Sequence, residues 1–311
     1  MKIVSYRLNQ HPGLYRIGFI DVDHGVIVDL QEVFREMQKS KGELEEAYAA
    51  ENLLPSDPSD FYKLGQLGID RAVASYQFYI VNKNDTQSYK RENVILGPPV
   101  PNPSKIICVG KNYADHVAEM KSDIPEYPVL FAKFNNALIG PDDSIMKSYI
   151  TDKLDYEAEL AVVIGKEASS VSEEQALEYV AGYSIGNDVS ARDLQKRTPQ
   201  WLQGKSLDKS TPIGPWLVTK EELVDPSKLN VKSFVNGQLR QSSNTKHLIF
   251  NVPYLVAFIS NIMTLNPGDI ILTGTPDGVG FAMKPPQFLK DGDIVKLEIE
   301  GIGVLENRVE E

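Results

Sequence analysis

Three acidic residues, Asp155, Glu157 and Glu159, alternate along the stretch Leu154–Gly165, LDYEAELAVVIG. Read as one strand, it sends Leu154, Tyr156, Ala158, Leu160, Val162 and Ile164 to one face and the acids, Ala161 and Val163 to the other. Both faces turn apolar in the second half, as in a strand buried on both sides. A further acid, Asp188, follows the next strand-like run, Gly182 to Gly186. Carboxylates at the mouth of a buried strand are costly unless something positive pairs with them. With no Cys or His beside them, the partner they suit is a hard divalent cation: Mg²⁺, Mn²⁺ or Ca²⁺. The competing reading is an edge strand with a solvated acidic rim.

Upstream, His116 and Glu119 stand three apart, on one face of a helix expected to open near Asn112 or Tyr113. A carboxylate on one imidazole nitrogen leaves the other free to take a proton; a plain surface pair is the alternative. The polar, proline-bounded stretch Met120 to Pro128 suits a mobile lid. The whole segment from Lys111 to Pro128, which carries the dyad, is expected to be displaced until a ligand orders it. After Asp188, the Ser190–Asp193 spacing predicts a capped helix placing Arg192 and Gln195 on one face near the acids. Gly204-Lys205-Ser206 ends like a phosphate loop, but Pro199 stands where the earlier glycine is required. Lys205 is therefore a solvated lysine or a cation aimed at an anionic ligand. The run GDIILTGTPDGVG predicts a buried strand and a three-glycine loop able to point N–H groups at a carboxylate.

The elements that position these residues follow from periodicity. Residues 1 to about 30 alternate as three strands, with turns at HPG and DHG that leave His11 and His24 solvated. Leu30 to Ala47 reads as helix, followed by a mixed polar segment to Lys90. The four prolines of residues 96–105 make an extended connector. This divides the chain into a small N-terminal α+β domain (1–95), the connector (96–105) and a larger domain (106–311). In the larger part, SSVSEEQALEYV reads as a surface helix and Asn236-Gly237 as a hairpin turn. Asn251 and Pro253 start a helix with a core stripe of Leu255, Phe258, Ile259 and Ile262. A last strand, IVKLEIEGIG, closes the sheet.

Composition removes several classes. The 311 residues are 42% hydrophobic and 24% charged, as in an ordinary globular protein. A net charge of -11 argues against a nucleic-acid partner. One cysteine, Cys108, excludes an intrachain disulfide, and four scattered histidines argue against zinc. With no apolar leader and no bilayer-length apolar run, neither a secretory signal nor a membrane span is expected, and the cytoplasm is the default.

Gly110-Lys111-Asn112-Tyr113 with His116 and Glu119, then DYEAEL, GNDVSARDLQ, GKSLD and LTGTPDGVG occur in that order. Together they resemble the fumarylacetoacetate hydrolase superfamily, in particular bacterial members with a small N-terminal domain, acylpyruvate hydrolase- and oxaloacetate decarboxylase-like. The resemblance implies an α+β fold built as a β-rich mixed roll, and a homodimer. It implies Mg²⁺ or Mn²⁺ on Glu157, Glu159 and Asp188, with His116 and Glu119 as the base dyad. It places Lys205, Arg192 and Gln195 on the pocket wall, with Gly274 and Thr275 in the substrate-facing loop. Two departures stand out: Val109 replaces a fourth acidic ligand seven residues before the histidine, and Phe134-Asn135-Asn136 follows Lys133 where many members carry proline.

The activity implied is divalent-metal-dependent cleavage of a C–C bond in a short 2-oxo acid, by acylpyruvate hydrolysis or oxaloacetate-type decarboxylation through an enolate. An isomerase, hydratase or dehydratase acting on a related 2-oxo or 2-hydroxy-dienoic acid is the second expectation. A non-catalytic metal-binding regulatory protein is the third, which a base dyad on a lid disfavours.

Overall fold

The computed structural model describes residues 1–82 and 88–311. The alternating N-terminal pattern forms three antiparallel strands, β1 (Lys2–Leu8), β2 (His11–Asp21) and β3 (Val26–Asp29). Leu8 pairs with His11, so the first turn is Asn9–Gln10 and the HPG triplet lies in β2. The His11 side chain lies outside the described residues; His24 is half-exposed, with Nδ1 2.9 Å from Asp21 Oδ2.

The helix expected over Leu30–Ala47 is two helices, α1 (Leu30–Ser40) and α2 (Leu44–Tyr48), separated at Gly42, whose φ is +82°. Asp29 caps α1 by accepting the Glu32 N–H at 3.0 Å. What reads in sequence as a mixed segment holds α3 (Ala50–Leu53), α4 (Pro58–Lys63) and the 17-residue α5 (Gln66–Asn82). The part of that segment at 83–87 lies outside the described residues. The chain returns to the sheet through β4 (Ser88–Lys90) on β3 and β5 (Val94–Gly97) on β1.

Residues 98–105 hold no regular element. Beyond them come β6 (Ile106–Gly110), α6 (Ala114–Glu119), β7 (Val129–Lys133), β8 (Leu138–Ile139) and β9 (Ile145–Met146). Next are β10 (Leu154–Asp155), β11 (Ala158–Ile164), β12 (Val180–Asn187) and β13 (Ser190–Ala191). The helices α7 (Arg192–Gln195) and α8 (Leu202–Lys205) precede β14 (Thr211–Thr219). The chain ends with β15 (Asn230–Val235), β16 (Gln238–Asn244), α9 (Val252–Ile262), β17 (Ile270–Leu272), β18 (Ile294–Ile299) and β19 (Gly303–Glu310).

One mixed sheet runs β4-β3-β2-β1-β14-β12-β11-β17-β6-β7, so the N-terminal strands join the rest through the β1–β14 pair. A second sheet runs β16-β15-β18-β19-β9, and β10 pairs only with β13. The fold is α+β, a β-rich mixed roll with a small N-terminal α+β unit. The acidic strand is no edge: β11 lies between β12 and β17 and all seven of its residues are buried.

That strand is also not continuous. Between β10 and β11 the backbone leaves the ladder, and side chains satisfy its donors: Asn187 Oδ1 accepts the Glu157 N–H and Gln241 Oε1 the Ala158 N–H, both at 3.0 Å. Other departures are local. Glu173–Tyr179 is a 3₁₀ helix. Ile262 of the α9 stripe is exposed, while Leu255 and Ile259 are buried. The last alternating run turns at Gly301 into the β18–β19 hairpin of the second sheet. Asn236 and Gly237 do form the expected hairpin turn, both with positive φ. Among the described residues, no helix is long and apolar enough to cross a membrane.

Candidate active site

Glu157 sits in the break before β11, Glu159 on β11, and Asp188 just past β12, where its N–H donates to the Glu157 carbonyl at 3.0 Å. This brings one oxygen from each of the three buried carboxylates within 4.8 Å of the others. Cations close around them. Lys205 Nζ lies 2.7 Å from Glu157 Oε2 and 2.6 Å from Asp188 Oδ2, and Arg192 Nη1 lies 2.7 Å from Glu157 Oε1. Arg192 Nε also donates to Asp155 Oδ2 at 2.8 Å. Glu159 has no cation among the described residues; Oε2 accepts the Gly274 N–H at 2.8 Å.

The protonation preferences follow. Burial, and then Asp188 and Glu157, push the Glu159 carboxyl well above the usual range. Burial would also raise Glu157, but Lys205 and Arg192 outweigh it and hold that carboxyl far below. Burial disfavours the Lys205 ammonium, yet Asp188 and Glu157 keep it charged. Three converging carboxylate oxygens fit a hard divalent ion, Mg²⁺, Mn²⁺ or Ca²⁺. The charge balance agrees: four buried carboxylates (with Asp155) face three buried cations, so a divalent ion would leave the group positive, ready for an anion.

The dyad is assembled on α6. His116 Nδ1 lies 3.2 Å from Glu119 Oε2, and Glu119 Oε1 accepts the Gly278 N–H at 2.9 Å. Asn112 anchors the entry to this helix by donating to Thr273 O (2.7 Å) and Phe250 O (3.0 Å) and accepting the Phe250 N–H. In the structure α6 is formed and lies over the carboxylates, with His116 and Val117 buried, while residues 120–128 hold no helix or strand.

The glycine loop does point its N–H groups at carboxylates, and they are the protein's own. Gly274 serves Glu159, Gly278 serves Glu119, and Gly280 with Phe281 serves Asp155. Gly274 has φ +104°, and a Cβ there would stand 2.7 Å from the Asn112 Cβ. Thr275 Oγ1 accepts from Gln241 Nε2 at 2.7 Å, and Gln195 Oε1 accepts from Arg192 Nη1 at 3.1 Å. Ser190 does not cap the helix after it: its hydroxyl donates to Asp188 O, and Ala191 precedes the single turn of α7.

A cavity of about 80 Å³ gathers His116, Glu157, Glu159, Asp188, Arg192, Gln195, Lys205 and Thr275 on its walls, with Glu119 and Gly274 directly behind. Sequence reasoning missed Lys133, whose buried Nζ donates to Asp188 Oδ1 (2.8 Å) and Val189 O (3.0 Å). A lysine ending the apolar run VLFAK was its only signal. It also missed the aromatic wall of Trp201 against Phe131, ring centroids 5.3 Å apart, where a Cβ on Gly110 would stand 2.4 Å from the Trp201 ring. A much larger cleft, about 700 Å³, lies by Lys147, Arg240 and Lys290, away from the carboxylate triad. Buried charge, not size, singles out the small cavity.

The family model "Fumarylacetoacetate (FAA) hydrolase C-terminal" matches residues 105–310. The chain is 39% identical over 311 residues to the mitochondrial oxaloacetate tautomerase fahd2 of Xenopus laevis, covering 99% of this chain and 90% of that protein. It is 50% identical over 226 residues to oxaloacetate tautomerase YisK of Bacillus subtilis, covering 71% and 75%. Among solved structures, fumarylacetoacetate hydrolase (EaFAH) from psychrophilic Exiguobacterium antarcticum matches with TM-score 0.77 at 37% identity, covering 100% and 99%. The chain belongs to the fumarylacetoacetate hydrolase superfamily and is an enzyme of it.

Proposed function

We propose that this enzyme enolises a short 2-oxo dicarboxylate of the oxaloacetate type, interconverting its keto and enol forms with the help of a divalent ion. The observation that carries the reading is the meeting, in one small buried cavity, of a carboxylate-backed histidine with three converging acids. The tautomerase names of two relatives support the same substrate class.

When bound by Glu157, Glu159 and Asp188, a divalent ion supplies Lewis-acid withdrawal of charge from the 2-oxo group. The chain's own residues do the rest. Arg192 is buried and its Nη2 has no hydrogen-bond partner, which leaves it free for the substrate's C1 carboxylate. With Nδ1 held by Glu119, His116 presents Nε2 as the base that removes a proton from C3. Glu119 steadies the imidazolium that results, and Gly278 fixes Glu119 in turn. His116 then returns the proton to the C2 oxygen, and the reverse direction runs through the same groups. The small volume of the cavity, about 80 Å³, favours a short acid over one with a long acyl tail.

Cleavage of the C3–C4 bond is the second reading. Val109, Met120, Phe131 and Trp201 line part of the cavity, and apolar walls favour loss of a carboxylate as neutral CO₂. The experiment is the decay of enol-oxaloacetate absorbance with enzyme and Mg²⁺ or Mn²⁺, run beside CO₂ and pyruvate assays and an acylpyruvate series. Accelerated decay without CO₂ supports tautomerisation, and stoichiometric CO₂ moves the assignment to decarboxylation. No effect on any of these acids would overturn the enolisation reading.

A further inference from the structure

Lys111 lines the active cavity, half-buried, with φ +57°, a left-handed backbone that costs any side chain energy. Five non-glycine residues share a positive φ among the described residues; the other four, Lys121, Ser170, Lys209 and Asn236, are all exposed. Both neighbours of Lys111 are fixed. Gly110 lies flush against Trp201, and Asn112 is bonded to Thr273 and Phe250, so the chain must pass through Lys111 in this conformation. Glycine or asparagine would meet that demand at lower cost.

The charges around it are already committed. Lys133, Lys205 and Arg192 each bond a carboxylate of the buried group. Among the described residues, the Lys111 ammonium meets no carboxylate or other acceptor within bonding distance. A 2-oxo acid placed with its C1 carboxylate toward Arg192 has its far end still to be recognised. A four-carbon dicarboxylate carries a second negative charge there.

We infer that Lys111 is the specificity-determining residue that binds the distal carboxylate of a C4 dicarboxylate. The assignment rests on the enolisation reading only for the identity of the site. Nearby Val109, Met120 and Trp201 keep the local dielectric low, so the ammonium–carboxylate contact is worth more there than in water. An acid with a neutral tail leaves Lys111 without a partner.

The test compares two unreactive acids that differ only in the distal carboxylate, malate and lactate, binding to the Mg²⁺-loaded enzyme by calorimetry. A charge-assisted contact predicts that the wild type prefers malate by about tenfold or more. In Lys111→Met the preference falls to about one. Lys111→Gly gives the same loss while relieving the backbone, and Lys111→Arg keeps the preference. A wild type without preference, or a preference that survives in both Lys111→Met and Lys111→Gly, overturns the assignment. Oxaloacetate turnover separates the two claims: an inactive wild type with a Lys111-dependent malate preference sinks the proposed reaction alone. An active tautomerase whose preference ignores Lys111 sinks this inference alone.

Discussion

Lys133 Nζ lies 2.8 Å from Asp188 Oδ1, and neither side chain touches solvent. The pair sits at the end of β7 and orients Asp188 so that its other oxygen meets Lys205 at 2.6 Å. Removing one partner of a buried pair leaves an uncompensated charge, at a cost of about 3–5 kcal/mol. Without Lys133, only Lys205 and Arg192 would remain to face the buried carboxylates. Lys133→Met should therefore lose stability of that order in urea unfolding, and Mg²⁺ should restore part of it by binding the native state. Equal unfolding midpoints for variant and wild type would show that Asp188 needs no such neighbour.

With Glu159 as a proposed ligand, metal binding should release a proton. Its carboxyl is raised by burial, then by Asp188 and Glu157, above the 4.5 of an unstrained glutamate. In the pH window above 4.5, the metal-free native chain keeps a proton that the unfolded chain has lost. The native state thus binds more protons, and this residue's contribution makes stability fall as pH rises through that window. A bound ion needs the ionised form, so affinity for Mg²⁺ should rise with pH across the same range. Calorimetry in buffers of different ionisation enthalpy should register the released proton. Glu159→Gln should bind the ion weakly yet melt higher than the metal-free wild type near neutral pH. A variant with wild-type metal affinity would remove Glu159 from the ligand set.

In the proposed reaction His116 moves the proton and holds no metal. His116→Ala should lower oxaloacetate tautomerisation by roughly 10²–10⁴-fold, the usual worth of a positioned acid–base group. Its affinity for Mg²⁺, read by calorimetry, should stay at the wild-type level. Full activity in this variant would hand the proton to another group.

The site was more legible in sequence than the fold around it. Ionisable residues at a fixed spacing on one element, such as Glu157 with Glu159 or His116 with Glu119, need only local geometry to be read together. Lys133 escaped because its meaning depends on Asp188, 55 positions away in sequence. The break between β10 and β11 escaped for a similar reason. Asn187 and Gln241 replace the ladder bonds there, and neither replacement shows in the LDYEAEL pattern. In the N-terminal unit, Gly42 divided a helix that apolar spacing made continuous, while α5 went unread because its apolar residues follow no single stripe. The polarity of Met120–Pro128 matches a stretch without helix or strand, but α6 just before it is held by Asn112 and the glycine loop, long-range bonds that composition cannot report.

Gly278 is one of the two anchors of α6. Its N–H donates to Glu119, its carbonyl accepts from Tyr156 Oη at 3.0 Å, and its φ is +94°. A Cβ there would stand 2.1 Å from the Arg240 carbonyl oxygen, so no side chain fits unless the loop moves. Gly278→Ala should cost about 1–3 kcal/mol from the backbone conformation alone. The loop shift should also withdraw the N–H from Glu119 and lower tautomerisation, although no reacting group has been changed. Hydrogen exchange separates this from general destabilisation. In the wild type, amides of α6 should be protected without any ligand, and oxalate with Mg²⁺ should add little. In Gly278→Ala, exchange across residues 111–128 should quicken more than in β11 or β12, because local opening is easier while the core remains paired. Equal exchange in the two proteins would mean that Val117 and Asn112 hold α6 down by themselves, and Glu119 would then keep its place without the glycine loop.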